Sequence, residues 1–354
     1  MNPIQVGLIG YGFAGKVFHA PVIAAVPDLH LRAIVTSRIE QVRADHPDVS
    51  VKADAETLLA DPAIELVIVA TPNTSHLALA QAALAAGKAV VVDKPFTLTT
   101  ADADALIQQA AVAGRCLSVF HNRRWDSDFR TVRQLVDSGL LGEVMTYEAH
   151  YDRFRPIIKP RWREQDAPGS GILYDLGSHL IDQALQLFGP PETVSADLQR
   201  QRPGAQAIDY FHLVLGYRRQ RVILHGGCLV RQPAFHFALH GARGSFIKQG
   251  LDPQEEALIA GRRPGSAGWG EEPAAIHGEL TTEINGLPIT GRIASLPGAY
   301  EAYYQALVQA IRQGTPPPVT AQEARQVIAV IEHALISHRR GQVIAFDDSF
   351  HQDN

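Results

Sequence analysis

Three side chains in this 354-residue sequence are of the types that oxidation of an alcohol requires. Such a reaction needs a base for the hydroxyl proton, a cationic donor for the developing alkoxide, and a group that holds the base. Lys94 stands in Val92-Asp93-Lys94-Pro95, at the end of an apolar run, and the proline biases Lys94 towards an extended backbone. Asp175 and His179 lie in Gly169-Ser170-Gly171-Ile172-Leu173-Tyr174-Asp175-Leu176-Gly177-Ser178-His179. On a helix, residues four apart share a face, so the carboxylate can orient the ring and raise its basicity, while a lysine cation nearby favours the neutral ring. The same spacing suits two ligands of a metal site or a plain ion pair on a helix surface. No third or fourth ligand accompanies it, and no metal is expected there.

Hydride chemistry also needs an acceptor, and the start of the chain supplies a place for one. The strand Ile4–Ile9 is followed by Gly10-Tyr11-Gly12-Phe13-Ala14-Gly15 and then by an apolar helical stretch from Lys16 to Ala25. Glycines at this spacing permit a tight turn, close approach to a pyrophosphate, and packing of helix on strand. The helix start adds unpaired N–H groups and partial positive charge. The next strand, Leu31–Val35, ends in Thr36-Ser37-Arg38, where an NAD site would place an aspartate or glutamate for the ribose hydroxyls. Glu40 comes two residues late, on the helix that follows. Ser37 can donate to a phosphate and Arg38 can face one with its planar fork, so NADP(H) is the expected dinucleotide. An ordinary helix cap followed by a solvated arginine is the alternative.

Strands and helices alternate up to Phe120: strands near Val51, at Glu65–Ala70, at Lys88–Val92 and at Cys116–Phe120, with helices between them. This order predicts a parallel sheet covered on both faces, with ligands at the strand C-terminal ends. Thr71, Pro72, Asn73 and His76 follow one such end, and Asp93 and Lys94 another. After residue 121 the grammar changes to a helix at Asp128–Asp137, a strand from Val144 to about Phe154, and a helix at Ile172–Phe188. Four successive strands follow, at Thr193–Gln199, Ala207–Gly216, Arg221–Leu229 and Phe235–His240, which predict a mostly antiparallel sheet with one open face. Gly261 to Gly291 is expected to be loop, and helices at Tyr300–Gln313 and Ala321–His338 close the chain. The fold class is therefore an α/β Rossmann domain over residues 1–120, then an α+β domain with an open-faced sheet over residues 121–354, for substrate binding and oligomerisation.

Several further side chains can meet a ligand. Phe120-His121-Asn122-Arg123-Arg124-Trp125 leaves the last strand of the first domain. Asn122 can hydrogen-bond the cofactor's ribose or amide, and Arg123 or Arg124 can meet substrate or phosphate, or pair with Asp126 and Asp128. Tyr151 and the basic, aromatic stretch containing Arg153, Arg155, Arg161, Trp162 and Arg163 can line a polyol or acidic substrate pocket or an oligomer contact. Tyr210 and His212 alternate on a strand, where they face substrate or pack against a helix or a subunit. A net charge of −5 with mixed signs gives no reason to expect nucleic acid or an anionic membrane as partner. No apolar run reaches membrane-spanning length, and no secretory leader pattern precedes the first strand. Cys116 and Cys228, far apart in apparent strands, fit buried thiols in a reducing, cytoplasmic compartment.

Taken in order, these motifs resemble the glucose–fructose oxidoreductase / inositol dehydrogenase / MocA (Gfo/Idh/MocA) family over essentially the full length. The glycine turn is Gly10 to Gly15, the family's Glu-Lys-Pro is Asp93-Lys94-Pro95 with Asp in place of Glu, and the second-domain helix carries Asp175 and His179. Gly10 to Pro21, His121 to Trp125, Arg161-Trp162-Arg163 and Asp209 to His212 are similar to the NADP-dependent scyllo-inositol dehydrogenase branch. The resemblance implies a catalytic group of Lys94, Asp175 and His179. It also implies cofactor contacts from Gly10, Tyr11, Gly12, Phe13, Ala14, Gly15, Ser37, Arg38, Thr71, Pro72, Asn73, His76, Asp93, Lys94 and Asn122. Arg123, Tyr151, Arg153, Arg155, Trp162, Tyr210 and His212 are the candidates to line a polyol or sugar substrate. A homodimer or homotetramer associated through the open sheet is implied as well. Reduction of another carbonyl or a dihydrodiol, and a non-catalytic NADP sensor, are the other functions this fold suggests.

Overall fold

Strands at the centre of a sheet covered on both faces need largely apolar sequence, and the first third of the chain provides six strands, the central ones apolar and the edge one not. They are β1 (Ile4–Ile9), β2 (Leu29–Val35), β3 (Ser50–Lys52), β4 (Leu66–Val69), β5 (Ala89–Asp93) and β6 (Leu117–Phe120). The computed structural model, which describes residues 2–349, pairs them all in parallel in the order β3-β2-β1-β4-β5-β6. The order reverses between β1 and β4, which opens a crevice at their C-terminal ends. Helices fall where the sequence puts them. In Thr100–Ala113, for example, Thr99 caps the start by accepting the Asp102 N–H at 3.1 Å.

The second sheet has nine strands: β7 (Val144–His150), β8 (Thr193–Gln199), β9 (Tyr210–Gly216), β10 (Arg221–Gly227), β11 (Phe237–Gly241), β12 (Ser245–Lys248), β13 (Gly278–Ile284), β14 (Leu287–Ile293) and β15 (Ile344–Ala345). Their order is β14-β13-β12-β11-β7-β10-β9-β8-β15, antiparallel except where β7 meets β10. Alternate residues such as Tyr147, Ala149, Leu213, Leu215, Val222 and Leu224 enter one core with the helices Ser127–Asp137 and Ser178–Phe188.

Two expectations need correction. The stretch expected as loop contains the hairpin β13–β14, turned by Asn285-Gly286, both at positive φ. Asn-Gly between β-prone residues is a strong hairpin signal, masked here because β14 buries almost nothing, Leu287 being 68% exposed. The domain division also differs. The chain packs as two units, the first comprising Met1–Trp125, Gln254–Gly270 and Ala299–Arg325, the second Asp126–Pro253, Glu271–Gly298 and the rest. The helices Gln254–Ile259 and Tyr300–Gln313 give Leu258, Tyr300, Tyr303, Tyr304 and Leu307 to the first core. An apolar stripe predicts burial but not which core receives it.

The second unit also holds an ion pair with no solvent contact. Lys248 Nζ lies 3.1 Å from Glu272, which also accepts from the hydroxyls of Ser127 (2.6 Å) and Ser295 (2.8 Å). Beside it Asp252 accepts the Ser127 N–H at 2.7 Å, and burial together with Asp252 pushes the Asp128 carboxyl up to about 7. Lys248 thus sits among three buried acids, with His236 3.6 Å from Asp128 as a second basic group. Lys248→Met is expected to cost about 3–5 kcal/mol, because it leaves carboxylates buried without a counter-charge. Urea unfolding midpoints check this, and a loss below about 1 kcal/mol would refute it.

Candidate functional site

In the first unit the glycine turn sits at the reversal of strand order. Gly10 follows β1 with φ 103° and donates its N–H to Val35 O at 3.0 Å. A Cβ on Gly10 would overlap the Ala70 carbonyl beyond β4, and one on Gly15 would overlap the Gly10 carbonyl. Both glycines are therefore demanded by the protein's own packing. Gly12 is not: a Cβ there would meet no protein atom within 4 Å. The space beside Gly12 is a cradle that the fold leaves open, and it fits a dinucleotide phosphate approaching the backbone. Ala14–His19 is wound wider than an α-helix and continues as the helix Ala20–Ala24. Tyr11 turns its ring inward and donates to Asp45 at 2.9 Å, and Lys16 pairs with the same carboxylate at 2.7 Å. Tyr11 thus presents the crevice with its backbone, while the Phe13 ring is half exposed against Phe18.

Beyond β2, Ser37 and Arg38 are exposed, and Arg38 opens the helix Ile39–Asp45. Glu40 lies on that helix and pairs with Arg43 at 3.0 Å, whereas Arg38 has no ion-pair partner among the described residues. Beyond β4, Thr71 Oγ1 meets Ser75 Oγ at 2.7 Å, and Asn73 is buried. His76 is buried too, with Nδ1 2.9 Å from Pro95 O and Nε2 3.1 Å from Thr71 O. Burial lowers its pKa, and a neutral ring carries one N–H, so it donates to one of these two carbonyls at a time. Its ring braces the exits of β4 and β5 against each other, an inward role that the sequence expectation of a cofactor contact does not include.

Asp93 ends β5 and accepts the backbone N–H of Lys94 on Oδ1 at 2.8 Å. Lys94 itself is half-buried, ahead of a cis peptide bond to Pro95. Behind Asp93 lies a group that sequence reading missed. His19 is fully buried, with Nε2 3.9 Å from Asp93 and Nδ1 2.6 Å from the hydroxyl of Tyr304. Burial lowers its pKa to about 4 against the opposing pull of Asp93. The neighbouring Tyr303 donates to Ser118 on β6 at 2.9 Å. Only the presence of His19 in an otherwise apolar helix hinted at this. Asn122 is buried in the turn after β6. The two arginines beside it also find partners far along the chain: Arg123 pairs with Glu255 at 2.7 Å and Arg124 with Glu323 at 3.3 Å. These carboxylates are more than a hundred residues away in sequence, so no local pattern could reveal them.

In the second unit, Asp175 lies in a widened turn, Leu173–Gly177, at the start of the helix Ser178–Phe188 that carries buried His179. Such turns recur at functional sites because they re-aim side chains. Arg163 Nε is 3.4 Å from Asp175 Oδ1, and its guanidinium stacks on Trp162 at 4.8 Å. Arg202 fixes the loop that bears them, bonding Glu164 (2.5 Å), Asp209 (2.8 Å) and Arg155 O (3.1 Å). Arg155 is exposed, and Arg153 lies over the buried Tyr151 ring at 4.9 Å. Tyr210 and His212 are half-buried on β9, on the face turned away from the core.

Comparison with known proteins agrees with this architecture. Residues 4–121 match the model "Oxidoreductase family, NAD-binding Rossmann fold", and residues 133–346 match "Oxidoreductase family, C-terminal alpha/beta domain". The uncharacterized oxidoreductase YdgJ of Escherichia coli K12 is 50% identical over 93% of this chain and 94% of its own. The scyllo-inositol 2-dehydrogenase (NADP(+)) IolW of Bacillus subtilis 168 is 43% identical over 98% of this chain and 97% of its own. The solved structure of an oxidoreductase from Bacillus subtilis, yvaA, superposes with a TM-score of 0.94 at 42% identity, covering 98% of this chain and 99% of that one. No helix among the described residues is long and apolar enough to cross a membrane.

His19 makes the first unit sensitive to acid. The unfolded chain takes up a proton near pH 6.5, the folded one only near 4, so the stability present above pH 6.5 falls as the pH drops between these values. The loss attributable to this ring is about 3 kcal/mol. His19→Gln is expected to flatten the dependence of the urea midpoint between about pH 7 and about pH 4.5. An unchanged slope would refute it.

Proposed function

We propose an activity from one premise, that the chain belongs to the Gfo/Idh/MocA family of oxidoreductases, with its NAD(P)-binding Rossmann fold. The protein is an NADP(H)-dependent dehydrogenase acting on the CH–OH group of a cyclic polyol or sugar, of which scyllo-inositol is the model. The observation that carries this reading is the array on one edge of the first sheet. There a glycine turn with an open cradle at Gly12 shares the C-terminal strand edge with Asp93-Lys94. The likeness to IolW, whose own name specifies scyllo-inositol and NADP(+), supports the substrate class and the dinucleotide.

Arg38, exposed and without a carboxylate partner among the described residues, favours the ribose 2′-phosphate, which its planar donor fork matches. The turn from Gly10 to Gly15 and the strand ends at Thr71–Asn73 and Asn122 hold the rest of the dinucleotide. When bound, it supplies the hydride acceptor at nicotinamide C4. The chain's own contribution is proton and charge management. His179 takes the hydroxyl proton on a ring nitrogen, Lys94 Nζ donates to the oxygen as alkoxide character develops, and Asp175 orients the histidine. In the reverse direction the same groups return the proton to a ketone. Tyr151, Arg153, Arg155, Trp162, Tyr210 and His212 line the substrate. Arg123, already engaged by Glu255, is left to position the turn after β6. A homo-oligomer and a cytoplasmic location belong to the same reading. Another carbonyl or a dihydrodiol as substrate, or an NADP-sensing role without turnover, is the competing outcome.

Initial rates with NADP and NAD over scyllo-inositol, myo-inositol, glucose and xylose test the reading directly. Turnover of scyllo-inositol with NADP is expected, and silence with all four despite NADPH binding would favour the competing outcomes. Lys94→Ala and His179→Ala are each expected to lose about 10²–10⁴ in kcat while NADPH fluorescence titrations change little. Normal turnover in either would overturn the catalytic assignment. Arg38→Ala should cost about tenfold or more in kcat/KM for NADP and leave NAD unaffected. Equal losses with both would reject Arg38 as the 2′-phosphate contact.

A further inference from the structure

The register of the second sheet sets a row of titratable side chains across the face turned away from its core. β7 and β10 run parallel with His150 opposite His225, β9 places His212 opposite His225, and β8 places Asp197 opposite His212. Because successive strand residues point to opposite faces, Tyr147, Ala149, Leu213 and Leu224 fill the core while these four face away from it. Glu148 and Asp152 flank His150 two residues to either side, on its own face. None of these histidines or acids was given a metal role by sequence, since no spacing motif joins them. Only pairing of two strands some 70 positions apart brings them together.

We propose that His150, Asp152 and His225 form a site for one divalent first-row transition ion, with zinc as the fitting probe. One ligand atom from each lies within 4.8 Å of the others. His225 Nδ1 is 2.9 Å from Asp152 Oδ1, and His150 Nδ1 is 3.4 Å from Asp152 Oδ2. Ligands about 2.0–2.1 Å from a tetrahedral ion stand roughly 3.4 Å apart, so small side-chain shifts suffice to close the site. Despite their separation, His225 Nδ1 and Asp152 Oδ1 do not meet in a hydrogen bond of ordinary geometry, and neither has another partner. The Asp152 side chain is only 4% exposed, so a buried carboxylate sits between the two histidine Nδ1 atoms with Oδ1 in no well-aligned hydrogen bond. A metal ion satisfies both atoms at once.

The donor chemistry selects the class of ion. Two imidazoles and one carboxylate suit zinc and its neighbours, whereas calcium and magnesium require oxygen ligands. Glu148 Oε2 lies 3.6 Å from His150 Nε2, so a small side-chain shift would let it accept that N–H and leave Nδ1 for the ion. Phe235 packs on the His150 ring at 4.4 Å and Tyr210 against His225 at 5.2 Å, which restricts the rotation of both rings. The backbone is rigid as well: beyond β7, Tyr151 N–H bonds His225 O at 2.8 Å and Arg153 N–H bonds Gly227 O at 2.9 Å. Water completes the coordination. The ion would clamp β7 to β10.

The test uses the full, untagged chain stripped with EDTA and then titrated calorimetrically with zinc chloride, with cobalt(II) as a spectroscopic stand-in. One equivalent of zinc per chain, visible ligand-field absorption from cobalt, and a raised melting temperature with zinc are expected. His225→Ala and Asp152→Asn should each weaken zinc binding at least about tenfold, while His30→Ala, on an exposed histidine of β2, leaves it unchanged. No stoichiometric uptake by the unsubstituted chain would overturn the site, whatever the variants do. Uptake that survives both His225→Ala and Asp152→Asn in chains with unaltered circular dichroism would overturn it equally.

Discussion

Everything in the first unit depends on how closely the chain passes itself between β1 and β4. The carbonyl of Ala70 occupies the place a Gly10 side chain would need, and the carbonyl of Gly10 occupies the place of one on Gly15. These two contacts set the distance from the strand to the helix that follows, and so the position of the helix start relative to the strand ends. A single methyl group at either position would push the helix away from the sheet edge. The crevice at the reversal of strand order exists because packing there is tighter than any side chain allows. The third glycine then stands out by contrast: Gly12 satisfies no packing need of the protein, and its missing side chain serves whatever approaches from outside.

A second layer of support is polar and buried. His76 stands between backbone carbonyls at the exits of β4 and β5 and donates to one of them, and His19 stands between Asp93 and Tyr304. Rings of this kind fix loop geometry more firmly than apolar packing, because a buried polar atom that loses its partner costs free energy at once. The arrangement also accounts for the aspartate where the family motif has glutamate. The shorter Asp93 side chain reaches the N–H of the next residue and so ties down the backbone of Lys94 itself.

Much of this was legible in the sequence, and the limits have physical causes. The six parallel strands, the glycine turn, the helical segment with Asp175 and His179, and the strand that runs into Lys94 each carry a local signal: an apolar run, a spacing, a helical period. The hairpin β13–β14 also carried one, Asn285-Gly286, but its strands lack the buried alternate face by which strands are usually recognised. The partners of Arg123 and Arg124 and the placement of Tyr304 beside His19 depend on which core receives the later helices, and a local pattern holds no information on that choice. The discontinuous first unit has the same origin.

The two faces of the second sheet divide its work in a way that a linear pattern records only by halves. Alternation along β7 announces a buried face through Tyr147, Ala149 and Tyr151, and that half determines where the strand packs. The other half, Glu148, His150 and Asp152, reads in one dimension as ordinary solvated residues, and it acquires meaning only when β10 is laid beside it with His225 in register. Parallel pairing is decisive here. Its register sets His225 directly opposite His150, and a shift of one residue would send His225 into the core. The apolar face that fixes the register therefore also fixes the polar face, and the chemistry available on the open side follows from the packing on the closed one.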